Sequence, residues 1–185
     1  MCPRPDHRWL ILGVARSGSS FHIDPNGTSA WNAVLSGKKK WILFPPGEAP
    51  PGVIGTDDGS HVTCPISVVE WFETYYSLST QRHPYECVVE AGEMIFVPPG
   101  WWHIVLNITD SIAVTQNFVS DVSLPHVMAF LRDRPEQVSG WEGNEDLYTA
   151  MKKAVPSSYT ELKVPKVVSK KQDAAEKPFQ FQFQI

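Results

Sequence analysis

Residues 21–44 read FHIDPNGTSAWNAVLSGKKKWILF. Three β-type runs follow one another here: Phe21 to Asp24, Ser29 to Leu35 and Lys38 to Phe44. Pro25-Asn26-Gly27 and Gly37 part them, because proline fixes φ while glycine and asparagine accept the positive φ of tight turns. Successive side chains of a strand point to opposite faces. His22 and Asp24 therefore share a face, as do Asn32 with Ala30 and Val34, and Lys39 with Trp41 and Leu43. If the Trp41 face is the inner one, an ammonium group lies inside the protein, where it is costly unless an anion meets it. Taken alone, three consecutive lysines read more simply as a solvated strand edge.

Further runs lie on either side of this stretch. Arg8 to Val14 precedes it; Glu86 to Glu90, Glu93 to Val97, His103 to Ile108 and Ser111 to Phe118 follow. Eight short strands in two sets of four predict an all-β core with flanking helices, a sandwich or small barrel with room for one ligand. Between the two sets lies an insertion over residues 45–85. It opens on a Pro/Gly-rich loop and holds one helical pattern, SVVEWFETYYSL, with Val68, Val69, Phe72 and Tyr76 as its buried face and Ser67 and Glu70 as a capping box. A second helix follows the last strand, with Leu124, Val127, Met128 and Leu131 on one side. The expected organisation is a barrel domain over 1–141, a C-terminal helical extension over 142–154, and a Lys-rich tail over 155–185 read as disordered. The closing FQFQFQI would form a strand only beside an open sheet edge.

At 185 residues, 42% hydrophobic and 11% aromatic, the chain is long and apolar enough for one buried core. Its net charge of −4 is uneven. Residues 151–185 carry seven lysines against Glu161, Asp173 and Glu176, a surplus of +4 that leaves −8 on the first 150 residues. An acidic body is no footprint for a phosphate backbone, so direct nucleic-acid binding is not expected, whereas a basic protein or peptide partner suits it. No apolar run approaches the ~20 residues of a membrane span, and MCPRPDHRWL lacks the apolar core of a signal peptide. Cys2, Cys64 and Cys87 form no CxxC pair and read as reduced thiols. An intracellular protein is the expectation.

His22 and Asp24 on one face can chelate one ion, and His103, opening a strand after the PPGWW turn, is the best-placed third ligand. Two imidazoles and a carboxylate with open opposite positions suit non-haem Fe(II) and oxygen activation, although zinc tolerates the same donors. An HxD pair by itself reads more simply as a partly buried histidine near a turn beside an aspartate capping Asn26 or Gly27. His7, His61, His83 and His126 read as solvent-exposed. Thr115 shares a face with Ala113 and Asn117, offering hydrogen-bonding groups beside small residues.

The runs FHIDPNGTSAWNAVLSGKKKWILFPP (21–46) and GEMIFVPPGWWHIVLNITDSIAVTQNFVS (92–120) resemble the catalytic core of the JmjC oxygenases. The likeness is greatest to the phosphatidylserine-receptor-type branch of bifunctional arginine demethylases and lysyl hydroxylases and to their F-box-associated relatives, and it covers roughly Arg8 to Trp141. The resemblance implies a double-stranded β-helix, the cupin or jelly-roll barrel, with Fe(II) held by His22, Asp24 and His103. It implies 2-oxoglutarate bound with its distal carboxylate on Lys39 and with Asn32, Thr115 and Asn107 lining its pocket. The implied reaction uses O2 to hydroxylate a protein side chain, as lysyl hydroxylation or as demethylation of methyl-arginine or methyl-lysine, releasing succinate and CO2. Trp101 and Trp102 are expected at the entrance, with core packing as the alternative for one of them. Relatives of this type carry further elements upstream of Arg8, including an aromatic residue that touches the cosubstrate, whereas seven residues precede Arg8 here, so the expectation is a chain lacking those elements, either a fragment or a mis-started gene model. Two other readings stand beside this one: a non-catalytic cupin adaptor that retains a metal site, and a zinc- or manganese-dependent isomerase or hydrolase.

Overall fold

The computed structural model describes residues 5–47, 49–55, 62–63 and 67–156. Cys2, His61, Cys64 and the expectations for the tail beyond residue 156 lie outside the described residues. In chain order the strands are β1 (Arg8–Gly13), β2 (Gly18–His22), β3 (Ser29–Ser36), β4 (Lys38–Phe44), β5 (Ile54–Gly55), β6 (Val62–Thr63), β7 (Tyr85–Glu90), β8 (Met94–Val97), β9 (Trp102–Asn107) and β10 (Ser111–Phe118). The helices are α1 (Val68–Thr74), α2 (Tyr76–Thr80), α3 (Leu124–Asp133) and α4 (Leu147–Ala154), with 3-10 turns at Pro25–Gly27 and Pro135–Gln137.

The eight long strands form two antiparallel four-stranded sheets, ordered β1-β10-β3-β8 and β2-β9-β4-β7. Consecutive long strands alternate between the sheets except at the insertion, where β4 and β7 pair in one sheet, giving the jelly-roll barrel expected from two sets of four runs. Ala30, Val34, Trp41, Leu43, Val89, Val97 and Val105 pack between the sheets and fill one end of the barrel with hydrocarbon. The outer face of the second sheet has its own core, in which Phe21, Ile42, Phe44 and Ile104 meet Val53, Val68 and Trp71 of the insertion. The insertion therefore backs the sheet that bears the histidines. At the barrel's end α3 and α4 pack through Val127, Leu131 and Leu147.

Two expectations need correction. The second strand runs Gly18–His22 rather than from Phe21 to Asp24, so Asp24 stands beyond the strand in the following turn. The insertion's helix begins as expected, with the Ser67 hydroxyl accepting the Glu70 N–H at 3.0 Å, but it breaks at Tyr75 (φ −114°, ψ −13°) into α1 and α2. Its buried face centres on Val68 and Trp71, while Val69, Phe72 and Tyr76 are only half-buried. Trp71 dominates because its ring meets Phe21 edge-on at 4.8 Å while its indole N–H reaches the Pro51 carbonyl at 2.8 Å.

Candidate metal centre and its pocket

An irregularity in β2 aims the first histidine. Gly18 and Ser19 face Leu106 and Val105 of β9, yet His22 faces His103, so the register shifts by one residue between Ser19 and His22. The extra residue reverses the alternation: Phe21 enters the outer core and His22 turns into the barrel. The two imidazole rings stand 4.1 Å apart, and the ligand atoms of His22, Asp24 and His103 all lie within 4.8 Å of one another. His22 Nδ1 donates to the Ser20 carbonyl at 2.8 Å and His103 Nδ1 to the Trp101 carbonyl at 3.1 Å. Each bond fixes a tautomer that leaves Nε2 as the free lone pair, the form a metal takes.

Burial, with the charge of His22 adding to it, pushes the His103 imidazole down to about 3 against the opposing Trp101 hydrogen bond, so the ring is neutral at physiological pH. Burial pushes the Asp24 carboxyl up, opposed by the neighbouring His22 and by a hydrogen bond from Asn117. Asp24 Oδ2 is buried without any hydrogen-bond partner. A buried acceptor with no donor beside two free imidazole nitrogens fits a divalent cation, which would satisfy all three.

The cavity continues for about 660 Å3 along the inner faces of both sheets. On β4, Lys39, Trp41 and Leu43 face inward as their alternation predicts, and in the cross-strand register Lys39 sits opposite Asn107 as Leu43 sits opposite His103. Lys39 is only 3% exposed. Its Nζ donates to Asn107 Oδ1 at 2.6 Å, and burial holds the ammonium below its usual range. Among the described residues no carboxylate pairs with it, because Glu90 and Glu86 take Lys38 and Lys40 on the outer side at 2.8 and 2.6 Å. The solvated-edge reading therefore holds for two of the three lysines and fails for the middle one. Asn32 and Thr115 lie side by side in register and line the same cavity; Asn32 Oδ1 has no partner, whereas the Thr115 hydroxyl donates to the Trp31 carbonyl at 2.8 Å. All seven residues singled out in the sequence thus line one cavity.

Neither tryptophan of the PPGWW turn lines it. Trp101 packs against the interior hydrocarbon and Trp102, the residue before the inward His103, against the outer core. His83 and His126 are exposed as expected, whereas His7 is half-buried, its Nδ1 donating to the Pro5 carbonyl at 3.0 Å. Sequence reasoning gave no site role to five participants. Trp41 stacks on His103 at 5.8 Å and buries an indole N–H without a partner. Ser111 donates to Asn107 Oδ1, and Asn107 Nδ2 donates to Ser17, both at 2.9 Å. Asn117 joins Asp24 to Thr28, and its alternation with Thr115 was the available signal. Gly13 must be glycine, since a Cβ there would stand 2.1 Å from Asn107 Nδ2.

A jelly-roll barrel with an inward His-Asp-His cluster and a buried, carboxylate-free lysine along the same cavity defines the class of cupin metal centres built for an anionic cosubstrate. The model of the JmjC domain, hydroxylase, matches residues 9–118, and the chain belongs to that family. It is 52% identical over 160 residues to the Arabidopsis thaliana arginine-specific demethylase JMJ22, covering 84% of this chain and 32% of that protein. It is 42% identical over 148 residues to the Caenorhabditis elegans bifunctional arginine demethylase and lysyl-hydroxylase psr-1, covering 75% and 36%. With the mouse 2-oxoglutarate and iron-dependent oxygenase JMJD4 it shares 34% over 135 residues, covering 72% and 31%. The chain spans about a third of the length of these curated relatives.

Proposed function

We propose that the protein is an Fe(II)- and 2-oxoglutarate-dependent dioxygenase acting on a protein side chain, by lysyl hydroxylation or by demethylation of methylated arginine or lysine. The observation that carries this reading is Lys39: a buried ammonium with no carboxylate beside it among the described residues, placed along the same cavity as a three-ligand cation site. His22, Asp24 and His103 would hold the iron, which when bound supplies oxidative decarboxylation of 2-oxoglutarate by O2, giving succinate and CO2 and transferring one oxygen atom to a C–H bond. Lys39 binds the distal carboxylate through a charge-assisted bond in a dry setting, where it is stronger than in water. Asn107 holds the ammonium in place, with Ser111 and Ser17 holding Asn107 in turn. Asn32 and Thr115 line the wall of the cavity opposite this group. The backbone carbonyls of Ser20 and Trp101 keep the protons of both imidazoles on Nδ1.

The names of the relatives support a protein substrate, and the acidic body of the chain supports a basic peptide as its form. A nuclear or cytoplasmic setting belongs to the same proposal. The test is succinate release from 2-oxoglutarate with Fe(II) and a basic peptide library, comparing the protein with His22→Ala and Lys39→Ala. Equal turnover in all three removes the assignment. Mass spectrometry of the peptides separates the two outcomes, since hydroxylation adds an oxygen atom and demethylation removes a methylene.

A further inference from the structure

Asp24 belongs to no strand ladder, so its position depends on the turn that carries it. That turn runs through Pro25, Asn26 (φ 56°, ψ 21°) and Gly27 (φ 65°), two successive left-handed residues before β3. Glycine takes such angles freely, and asparagine is among the few side chains that tolerate them. Asn26 is nevertheless buried, at 7% exposure, and both ends of its amide are used. Nδ2 donates to the Ser139 carbonyl at 3.0 Å, and Oδ1 accepts the Ser139 N–H at 3.0 Å. This reciprocal pair ties the metal-ligand turn to the segment that follows α3. Gly27 presses the same turn onto α3, where a Cβ would stand 3.1 Å from Phe130 Cβ and 3.3 Å from His126 Cδ2. On the other side Thr28 donates to the Pro25 carbonyl at 2.8 Å and accepts from Asn117 at 2.9 Å.

We propose that Asn26 is a positioning residue for the metal centre: its amide clamps the turn to Ser139 and thereby holds the Asp24 carboxylate against the two imidazoles. The segment after the barrel is then part of the site although it contributes no ligand. This inference rests on the metal-site reading above. An apolar side chain at residue 26 would leave the Ser139 N–H and carbonyl without these partners and the turn held only by packing and by Thr28. Groups that hydrogen-bond a metal ligand directly typically change metal affinity by 10- to 100-fold when removed, and Asn26, which acts on Asp24 through two residues of backbone, is assigned an effect of that scale.

The experiment measures Mn(II) binding to the purified full chain through the electron paramagnetic resonance signal of free Mn(II), without turnover. Asn26→Ala removes both bonds; Asn26→Gly removes both while accepting the left-handed backbone, so it folds where the alanine variant is strained. Both are expected to raise the Mn(II) dissociation constant about 10- to 100-fold. Asp146→Ala is the control. It removes the α4 cap, in which Asp146 accepts the Thr149 N–H at 2.8 Å, and so loosens the same helical segment without touching the turn. Its Mn(II) affinity is expected to match the unmodified protein. Wild-type affinity in Asn26→Gly overturns the clamp, and so does an equal loss in Asp146→Ala, which would mark general loosening. A chain that binds Mn(II) with this dependence on Asn26 but releases no succinate keeps the clamp and loses the proposed activity. A chain that binds no Mn(II) loses both.

Discussion

Replacing Lys39 with methionine separates what the lysine costs the fold from what it does for a ligand. In the ligand-free protein the ammonium is buried with one neutral acceptor, Asn107 Oδ1, and no carboxylate. Methionine has a similar length and no charge to desolvate, and Asn107 Oδ1 keeps its second donor, the Ser111 hydroxyl at 2.9 Å. Apolar replacement of buried ionic groups is often neutral or stabilising by about 1–4 kcal/mol, so Lys39→Met is expected to gain about 1 kcal/mol or more. For a chain of this size that raises Tm by about 2–4 °C per kcal/mol. The pH dependence has a definite sign. Burial lowers the Lys39 pKa from its ordinary 10.5, so the folded state releases this proton at lower pH than the unfolded chain does. The penalty is fully present below the lowered value and is relieved as pH rises toward 10.5, so the Tm advantage of the variant shrinks between neutral pH and about pH 10. For 2-oxoglutarate the effect is opposite. Leaving its distal carboxylate buried without a cation costs about 3–5 kcal/mol, a loss of affinity of roughly 10²-fold to several 10³-fold by calorimetry. A ligand-free variant less stable than the parent, or a loss of affinity below about tenfold, would refute this account of the lysine.

Three further outcomes follow from the same geometry. Trp71→Ala empties the centre of the outer core and is expected to cost about 3–5 kcal/mol in urea unfolding, because the ring contacts with Phe21 and Phe72 and the bond to Pro51 all go. Gly13→Ala places a methyl group 2.1 Å from Asn107 Nδ2 and 3.0 Å from Ser17 Oγ, so it displaces the amide that holds Lys39. It is expected to raise KM for 2-oxoglutarate about tenfold while costing about 1–3 kcal/mol of stability; an unchanged KM would count against Asn107 as the group that places the ammonium. Mn(II) at about 100 times its dissociation constant is expected to stabilise the protein by about 2.7 kcal/mol in a thermal melt and to leave His22→Ala unmoved. Equal stabilisation of that variant would show that the ion binds elsewhere.

Strand existence and the two faces of β4 were legible because both rest on period-two alternation, which nothing disturbs between Lys38 and Phe44. Alternation grouped Lys39 with Trp41 and Leu43, but Ile42 and Phe44 make the other face equally apolar, so the lysine run by itself read as a solvated edge and only the neighbouring metal motif pointed Lys39 inward. The same rule gave the right partners for His22 and Asp24 through a wrong path. The pair shares a cavity, but one residue stands at the end of a bulged strand and the other in a turn. A bulge is one inserted residue, and its signature appears only in the partner strand's register, which a single sequence does not display. The break of the insertion helix at Tyr75 and the burial of Trp71 were illegible for a related reason. The helical pattern offered several apolar faces, and the choice fell to the indole that found both Phe21 and the Pro51 carbonyl. Ser17 and Ser111 carry no sequence signal, because they act on the cavity only through Asn107.

The two irregularities have a common consequence for how the site is built. A carboxylate and two imidazoles on three regular strands would keep the spacing of the ladder, with neighbouring chains about 4.8 Å apart and side chains parallel. Convergence on one ion needs the side chains to lean toward one another. The bulge in β2 turns His22 across to His103 within one strand pair, and the left-handed turn returns Asp24 over both. The regular part of the barrel then has a different task. Along β4 and β9 the undisturbed register places Lys39 with Asn107 and Leu43 with His103, four residues apart on each strand. At about 3.3 Å per residue that is roughly 13 Å between backbone positions, with the lysine and the imidazole both reaching inward into the cavity between them. Shifting the register of either strand by one residue would send Lys39 or His103 to the outer core. The insertion packed on that outer face, through Trp71 on Phe21, therefore guards the distance between cation and metal site as well as the stability of the sheet.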